Sequence, residues 1–324
     1  MFGIYWNKAI QIGRKKQDLH SQHLSNAILG VICNGTTRLS DKETNLKAEF
    51  QNLIHPKKEH NHRFGTVNYL HPQNNLLANQ GKGISHSISH RDSLVIKRSV
   101  AIEHPLLKSN FDTEDYSSGK IMLACTEEIQ AQTPFLHTNA LRDATYSMVS
   151  EGDIKKVNLL IRLTGFVDWL DANNPELLNS DNHVDAEYLF FWLVKCIQDN
   201  NGDVLSGLNK GLSMLNKYNV GGNCNILFSD GVGIYAYSNT SKNATNVRKI
   251  SYKINRNVHN ICSYVIKNCT ETPGLDWTDV KEHNLYYFPT HGAIQVYANI
   301  DTNQYSDTKF KSGVNWACLS LLSC

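Results

Sequence analysis

The chain has 324 residues, with 32 Lys and Arg against 30 Asp and Glu, for a formal net charge of +2. That length permits one large domain or two ordinary ones, and 41% hydrophobic with 19% charged residues suits a globular protein. The near-neutral balance leaves no electrostatic footprint for nucleic acid or an anionic membrane, and no run approaches the ~18 apolar residues of a spanning helix.

In chain order, "MFGIYW" reads as a strand built to be buried, although terminal residues usually fray or stay polar. It is too short for the apolar core of a secretory leader, and the stretch from Gln11 to Gln17 is polar. Ala27 to Cys33 is a second apolar run. Residues 51–92 are polar and His-rich, with Pro56, Pro72, Gly81 and Gly83, so a long loop insertion is expected there. His86 and His90 have the i, i+4 spacing of a metal pair on a helix. The glycines and Ser85, Ser87 and Ser89 argue against a helix, so exposed loop imidazoles and no metal site are expected. "SLVIKRSVAI" at 93–102 alternates like a strand, and "GKIMLAC" at 119–125 reads as another.

Two helices follow. "DAEYLFFWLVKCIQDNNGD" is a buried helix, with Asp185 expected as its N-cap and Asn200-Asn201-Gly202 as its stop. "DVLSGLNKGLSMLNKY" places Leu208, Leu212 and Leu215 on one face, and Gly221-Gly222 halts it. Two apolar runs flank Ser229-Asp230-Gly231, a hairpin signal. "ICSYVIKN", "NLYYFP" and "AIQVYAN" are later strands. Many strands around a central helix pair indicate a layered α+β domain. The eight cysteines form no CxxC pair, so reduced core thiols in a cytoplasmic protein are expected.

The block from Asp185 to Ser238 resembles the class II glutamine amidotransferases. That family carries a Thr/Ser-Asp-Ser-Glu motif opening a helix, an amphipathic helix, and a strand ending in Ser-Asp-Gly. Here Val184-Asp185-Ala186-Glu187 precedes "NILFSDGVGIYAYS" in the same order. "SYVIKNCTETPGLDWTDVKEHNLYYF" is similar to the family's late strands, "QTPF" to its Thr-His-Pro-Phe, "YSMVSEGDI" to its F-x-H-N-G-x-I, and "MFGIYW" to its Met-Cys-Gly-Ile start. The resemblance covers most of residues 1–300. It implies a four-layer αββα sandwich of the N-terminal-nucleophile hydrolase type over residues 1–301, followed by an extension at 302–324. That apolar extension is expected to pack on the domain or to dock another chain.

The family's chemistry can be followed position by position. Its nucleophile is an N-terminal cysteine whose own α-amino group serves as base. Phe2 stands at that position here, supplies no nucleophile, and blocks removal of Met1. The family's Asn-Gly stabilises the oxyanion with N–H donors, each worth on the order of 10²–10³ in rate. Glu151-Gly152 is the matching pair, with Ser150 at the family's His, and a carboxylate would repel an oxyanion. The Arg that holds the glutamine carboxylate is matched by Thr126, with Ala124 two residues before it. Asp185 alone keeps its family identity, as partner of the glutamine α-ammonium, and Gly152 keeps the turn.

Nucleophile, oxyanion donor and carboxylate clamp are therefore all replaced. The resemblance implies a catalytically inactive amidotransferase-like protein serving as a binding or scaffolding subunit. It is expected to have a protein partner or a second copy of itself, no cofactor and no metal. A small ligand could occupy a relict pocket near Phe2, Thr126, Glu151, Gly152 and Asp185. The alternative is an active amidohydrolase with a rebuilt site; self-cleavage before Cys33 is one route to it, but would delete the opening strand.

Overall fold

A computed structural model describes residues 27–34, 39, 62–70, 84–90, 93–101, 119–128, 135–139, 144–153, 160, 165–179, 185–218, 220, 222–239, 248–256, 261–269 and 276–297. Two antiparallel sheets lie face to face, with helices over one of them. The larger sheet holds β1 (Ile28–Cys33), β2 (His62–Leu70), β3 (Ile84–His90), β4 (Ser93–Ala101), β5 (Gly119–Glu128), β10 (Lys249–Arg256), β11 (Ile261–Cys269) and β12 (Trp277–Asp279). Their order is β12-β10-β11-β1-β5-β2-β4-β3. The smaller sheet holds β6 (Phe135–Asn139), β7 (Ala144–Asp153), β8 (Asn223–Ser229), β9 (Gly233–Asn239), β13 (Leu285–Pro289) and β14 (Gln295–Tyr297), in the order β14-β13-β9-β8-β7-β6.

The run "ILGVIC" has no polar alternation because β1 is covered on both faces. Ile28 and Ile32 enter the core between the sheets, while Leu29, Val31 and Cys33 join Met122, Ala124 and Val265 on the other face of the large sheet. At Gly30 the sheets pack closely: a Cβ there would lie 3.2 Å from Leu227 Cδ1 and 3.3 Å from Ile234 Cδ1.

The helical layer comprises α1 (Phe166–Asn173), α2 (Pro175–Asn179), α3 (Asp185–Asp199) and α4 (Val204–Lys217). Helix α3 buries every residue from Tyr188 to Ile197, all of them apolar or aromatic except Lys195, which pairs with Asp199. It stops where expected, with Asn201 at φ 57° and Gly202 at φ 75°. Asp203 caps α4 by accepting the Ser206 N–H. The α3–α4 crossing is tight, since a Cβ on Gly207 would lie 2.4 Å from Ile197 Cα. Phe190, Phe228 and Tyr146 fill the core between helices and small sheet.

The α+β sandwich expected from the sequence is the fold observed. The segment 51–92 is corrected, however: β2 and β3 arise within it, so it supplies two strands of the large sheet rather than a long loop. The opening strand expected at residues 1–6, Phe2 and the extension expected at 302–324 lie outside the described residues.

Candidate functional site

Strand alternation decides where the predicted site residues go. On β7, Val149 faces the space between the sheets, whereas Tyr146 and Met148 face the helices. Glu151 shares the face of Val149 and Gly152 the face of Met148. On β8 and β9, Leu227 and Ala236 face the space between the sheets, so Asn225 and Ser238 do too.

Glu151, Asn225 and Ser238 lie side by side, because the register pairs Glu151 with Asn225 and Asn225 with Ser238. All three are buried. The Asn225 Nδ2 donates to Glu151 Oε2 at 2.8 Å and to the Arg248 carbonyl at 2.5 Å, while its Oδ1 accepts the Ser238 hydroxyl at 2.8 Å. An amide nitrogen has two hydrogens, and both are used. Gly152 adopts φ +114°, and a Cβ on it would lie 1.9 Å from the Asn223 carbonyl oxygen. Gly152 stands within β7, paired with Cys224, rather than in a turn, and its positive φ and the close Asn223 carbonyl are what require glycine there.

Thr126 is fully buried at the far end of β5. Alternation puts it with Met122 and Ala124, on the face of the large sheet turned away from Glu151. Its hydroxyl accepts the Ala27 N–H at 2.8 Å, and its own N–H donates to the Ala27 carbonyl at 2.9 Å. It anchors the start of β1. Asp185 is the first residue of α3, in the helical layer and half-buried, rather than the cap before it. Glu151, Thr126 and Asp185 thus stand in three different layers, and the described residues do not gather them onto one face. Phe2 lies outside the described residues.

Ser229-Asp230-Gly231 does build the expected hairpin. Asp230 Oδ1 accepts the Val232 and Gly233 N–H groups, at 2.9 and 3.0 Å. Burial pushes the Asp230 carboxyl above the usual range, partly offset by those hydrogen bonds. Beside it, Tyr69 reaches from the large sheet to the small one, where its hydroxyl meets Ser147 Oγ at 2.8 Å and donates to the Thr145 carbonyl at 3.1 Å. Tyr69, Asn225 and Ser238 escaped the sequence reading. The signal for Asn225 was its spacing from Ser229, four residues away on the same inward face of one strand. His86 and His90 stand on β3, a strand, so helical i, i+4 pairing does not apply to them. Cys33, Cys125, Cys196, Cys224 and Cys262 are all buried. Among the described residues, no helix is long and apolar enough to cross a membrane.

With this geometry in hand, the chain can be set beside known proteins. No family model matches it, and no curated protein matches it significantly. Among solved structures, the glutamine phosphoribosylpyrophosphate amidotransferase of B. subtilis superimposes with a TM-score of 0.52 at 12% identity, over 86% of this chain and 50% of that one. The fold is that of the class II glutamine amidotransferases. This chain spans about half the length of the B. subtilis enzyme chain. A glutamine aminotransferase class-II domain protein from Silicibacter pomeroyi gives a TM-score of 0.43 at 14% identity, over 81% of this chain and 94% of its own. A predicted glutamine amidotransferase from Pseudomonas aeruginosa gives 0.36 at 10%, over 81% and 97%.

Proposed function

We propose that this chain is a glutamine amidotransferase-like protein without the family's chemistry, acting as a binding or scaffolding subunit of a protein assembly in the cytoplasm. One observation carries the reading: the residue matched to the oxyanion donor is Glu151, a buried carboxylate that accepts a hydrogen bond from Asn225. Glu151 Oε2 serves as an acceptor here, and a side-chain carboxyl lacks the amide N–H groups with which the family's Asn meets a tetrahedral oxyanion. The neighbouring amide does not replace the missing donor, because both hydrogens of Asn225 are already committed. Two sequence positions support the same conclusion. Phe2 stands where the family has its thiolate, and Thr126 where it has its guanidinium. The Thr126 hydroxyl is engaged with the Ala27 backbone, away from Glu151. Asp185 and Gly152 remain in this reading as the relict ligand-binding positions. A fold kept without its reaction is kept for what it contacts, here another protein chain or a second copy.

Ammonia release from glutamine by the full chain tests this, together with its intact mass and its size by light scattering. No ammonia, a retained Met1 and a mass above that of the monomer are expected. Glutaminase activity that disappears in Asp185→Ala would overturn the reading in favour of a rebuilt amidohydrolase site.

A further inference from the structure

The rank Glu151–Asn225–Ser238 does more than lack a donor. Arg248, whose carbonyl accepts from Asn225, leads directly into β10 of the large sheet, whereas Glu151, Asn225 and Ser238 belong to three neighbouring strands of the small one. The Asn225 amide therefore crosses from one sheet to the other. Its orientation is fixed from two sides. Ser238 Oγ donates to Oδ1, and Glu151 Oε2 accepts from Nδ2, so turning the amide over would set its oxygen against Glu151 Oε2 and the Arg248 carbonyl and break both of those bonds. Its side chain is fully buried, and its hydrogen bonds lie in a water-poor setting.

We infer that Glu151 is a positioning residue in an autoinhibitory latch: with Ser238 it holds the Asn225 amide onto the Arg248 carbonyl, which closes the space between the sheets at the position matched to the oxyanion site. This rests on the functional reading above and deepens it. The residue that ended oxyanion stabilisation is also the one that keeps the two sheets fastened there. Glutamine-sized molecules are shut out of that end as long as the latch holds.

Side-chain amide exchange in the full chain tests this, with 15N-labelled asparagine and the Asn225 signal assigned through Asn225→Asp. In the unaltered protein the Asn225 amide is expected to exchange at least ~100-fold more slowly than exposed asparagines. Glu151→Leu should lose at least ~10-fold of that protection, and Glu151→Gln, which keeps an acceptor oxygen, should retain it within ~3-fold. Wild-type protection in Glu151→Leu, or equal loss in the Gln and Leu variants, would overturn the latch. If Glu151→Leu does not fold, Ser238→Ala removes the other anchor; it should speed exchange by a similar factor, and unchanged exchange would overturn the latch. Ammonia release measured on the same samples separates the two ideas. An Asn225 amide that exchanges as fast as exposed asparagines in the unaltered chain, with no ammonia released, sinks the latch alone, and ammonia from the unaltered chain sinks the inactive reading.

Discussion

The hydroxyl of Tyr69, on the large sheet, lies 2.8 Å from the hydroxyl of Ser147, on the small sheet. The same phenol is within 3.3 Å of the Ser229 carbonyl and 3.1 Å of the Thr145 carbonyl. One side chain thus serves buried acceptors on two strands of the opposite sheet. Tyr69→Phe removes the hydroxyl and leaves those groups buried without it. A loss of about 1–3 kcal/mol in unfolding free energy is expected, read as a lower denaturation midpoint with an unchanged slope. An unchanged midpoint would show that the bridge contributes nothing.

Gly152 offers a sharper test of the backbone. Its φ of +114° is rarely open to residues with a Cβ, and the added atom would press on the Asn223 carbonyl from 1.9 Å. Gly152→Ala should cost about 3 kcal/mol or prevent folding, through strain and the parting of β7 from β8. Chemical denaturation of the soluble fraction would show it. Gly292, with nothing within 4 Å of its Cβ position, is the control, since Gly292→Ala meets only its φ of +95°.

His137 gives the fold a pH dependence of defined sign. Its ring lies against Phe191 and Trp169, with centroids at 5.6 and 6.2 Å, and burial holds its pKa below the ordinary 6.5. The folded state therefore takes up this proton later than the unfolded chain does. As pH falls below the unfolded value, the unfolded state binds more protons and stability drops, until His137 itself is protonated in the fold. His137→Phe should flatten stability measured from pH 7 down to pH 5. A slope identical to that of the unaltered protein would count against burial as the cause.

Two cysteines should be chemically silent. Burial pushes the Cys196 and Cys224 thiols up to about 12, so almost no thiolate exists near neutral pH. Iodoacetamide at pH 8 should leave both unmodified in the folded protein and label both in urea. Peptide mass spectrometry distinguishes the outcomes, and rapid native labelling of Cys224 would contradict its position in the core.

Much of this architecture was legible because the signals were local. Helix α4 follows from the spacing of Leu208, Leu212 and Leu215, and the β8–β9 hairpin from Ser229-Asp230-Gly231 between apolar runs. Strand β2 was hidden because one of its faces is buried and polar. Thr66 and Asn68 are almost fully buried, and the Asn68 amide donates to the Thr66 hydroxyl. Composition cannot distinguish such a strand from a solvated loop. Glu151 was legible through family likeness, since its place follows from linear order. The role of Asn225 depends on which residue lies opposite it on two neighbouring strands, and that register is set by the assembled sheet. Thr126 shows the reverse limit: its position in the motif was readable, but the face it occupies was not.

Among the described residues, each sheet runs out on one side in a strand of three residues, β12 and β14. A foreign strand that tried to extend either sheet there would gain only a few backbone hydrogen bonds before the template ended. On β12 it would also meet the charge of Asp279, already shared with Lys249 and with the Ser251 hydroxyl. These two borders resist aggregation by brevity and charge. Among the described strands, the opposite borders, β3 and β6, offer a longer template of seven and five residues, so strand addition there would gain more backbone hydrogen bonds.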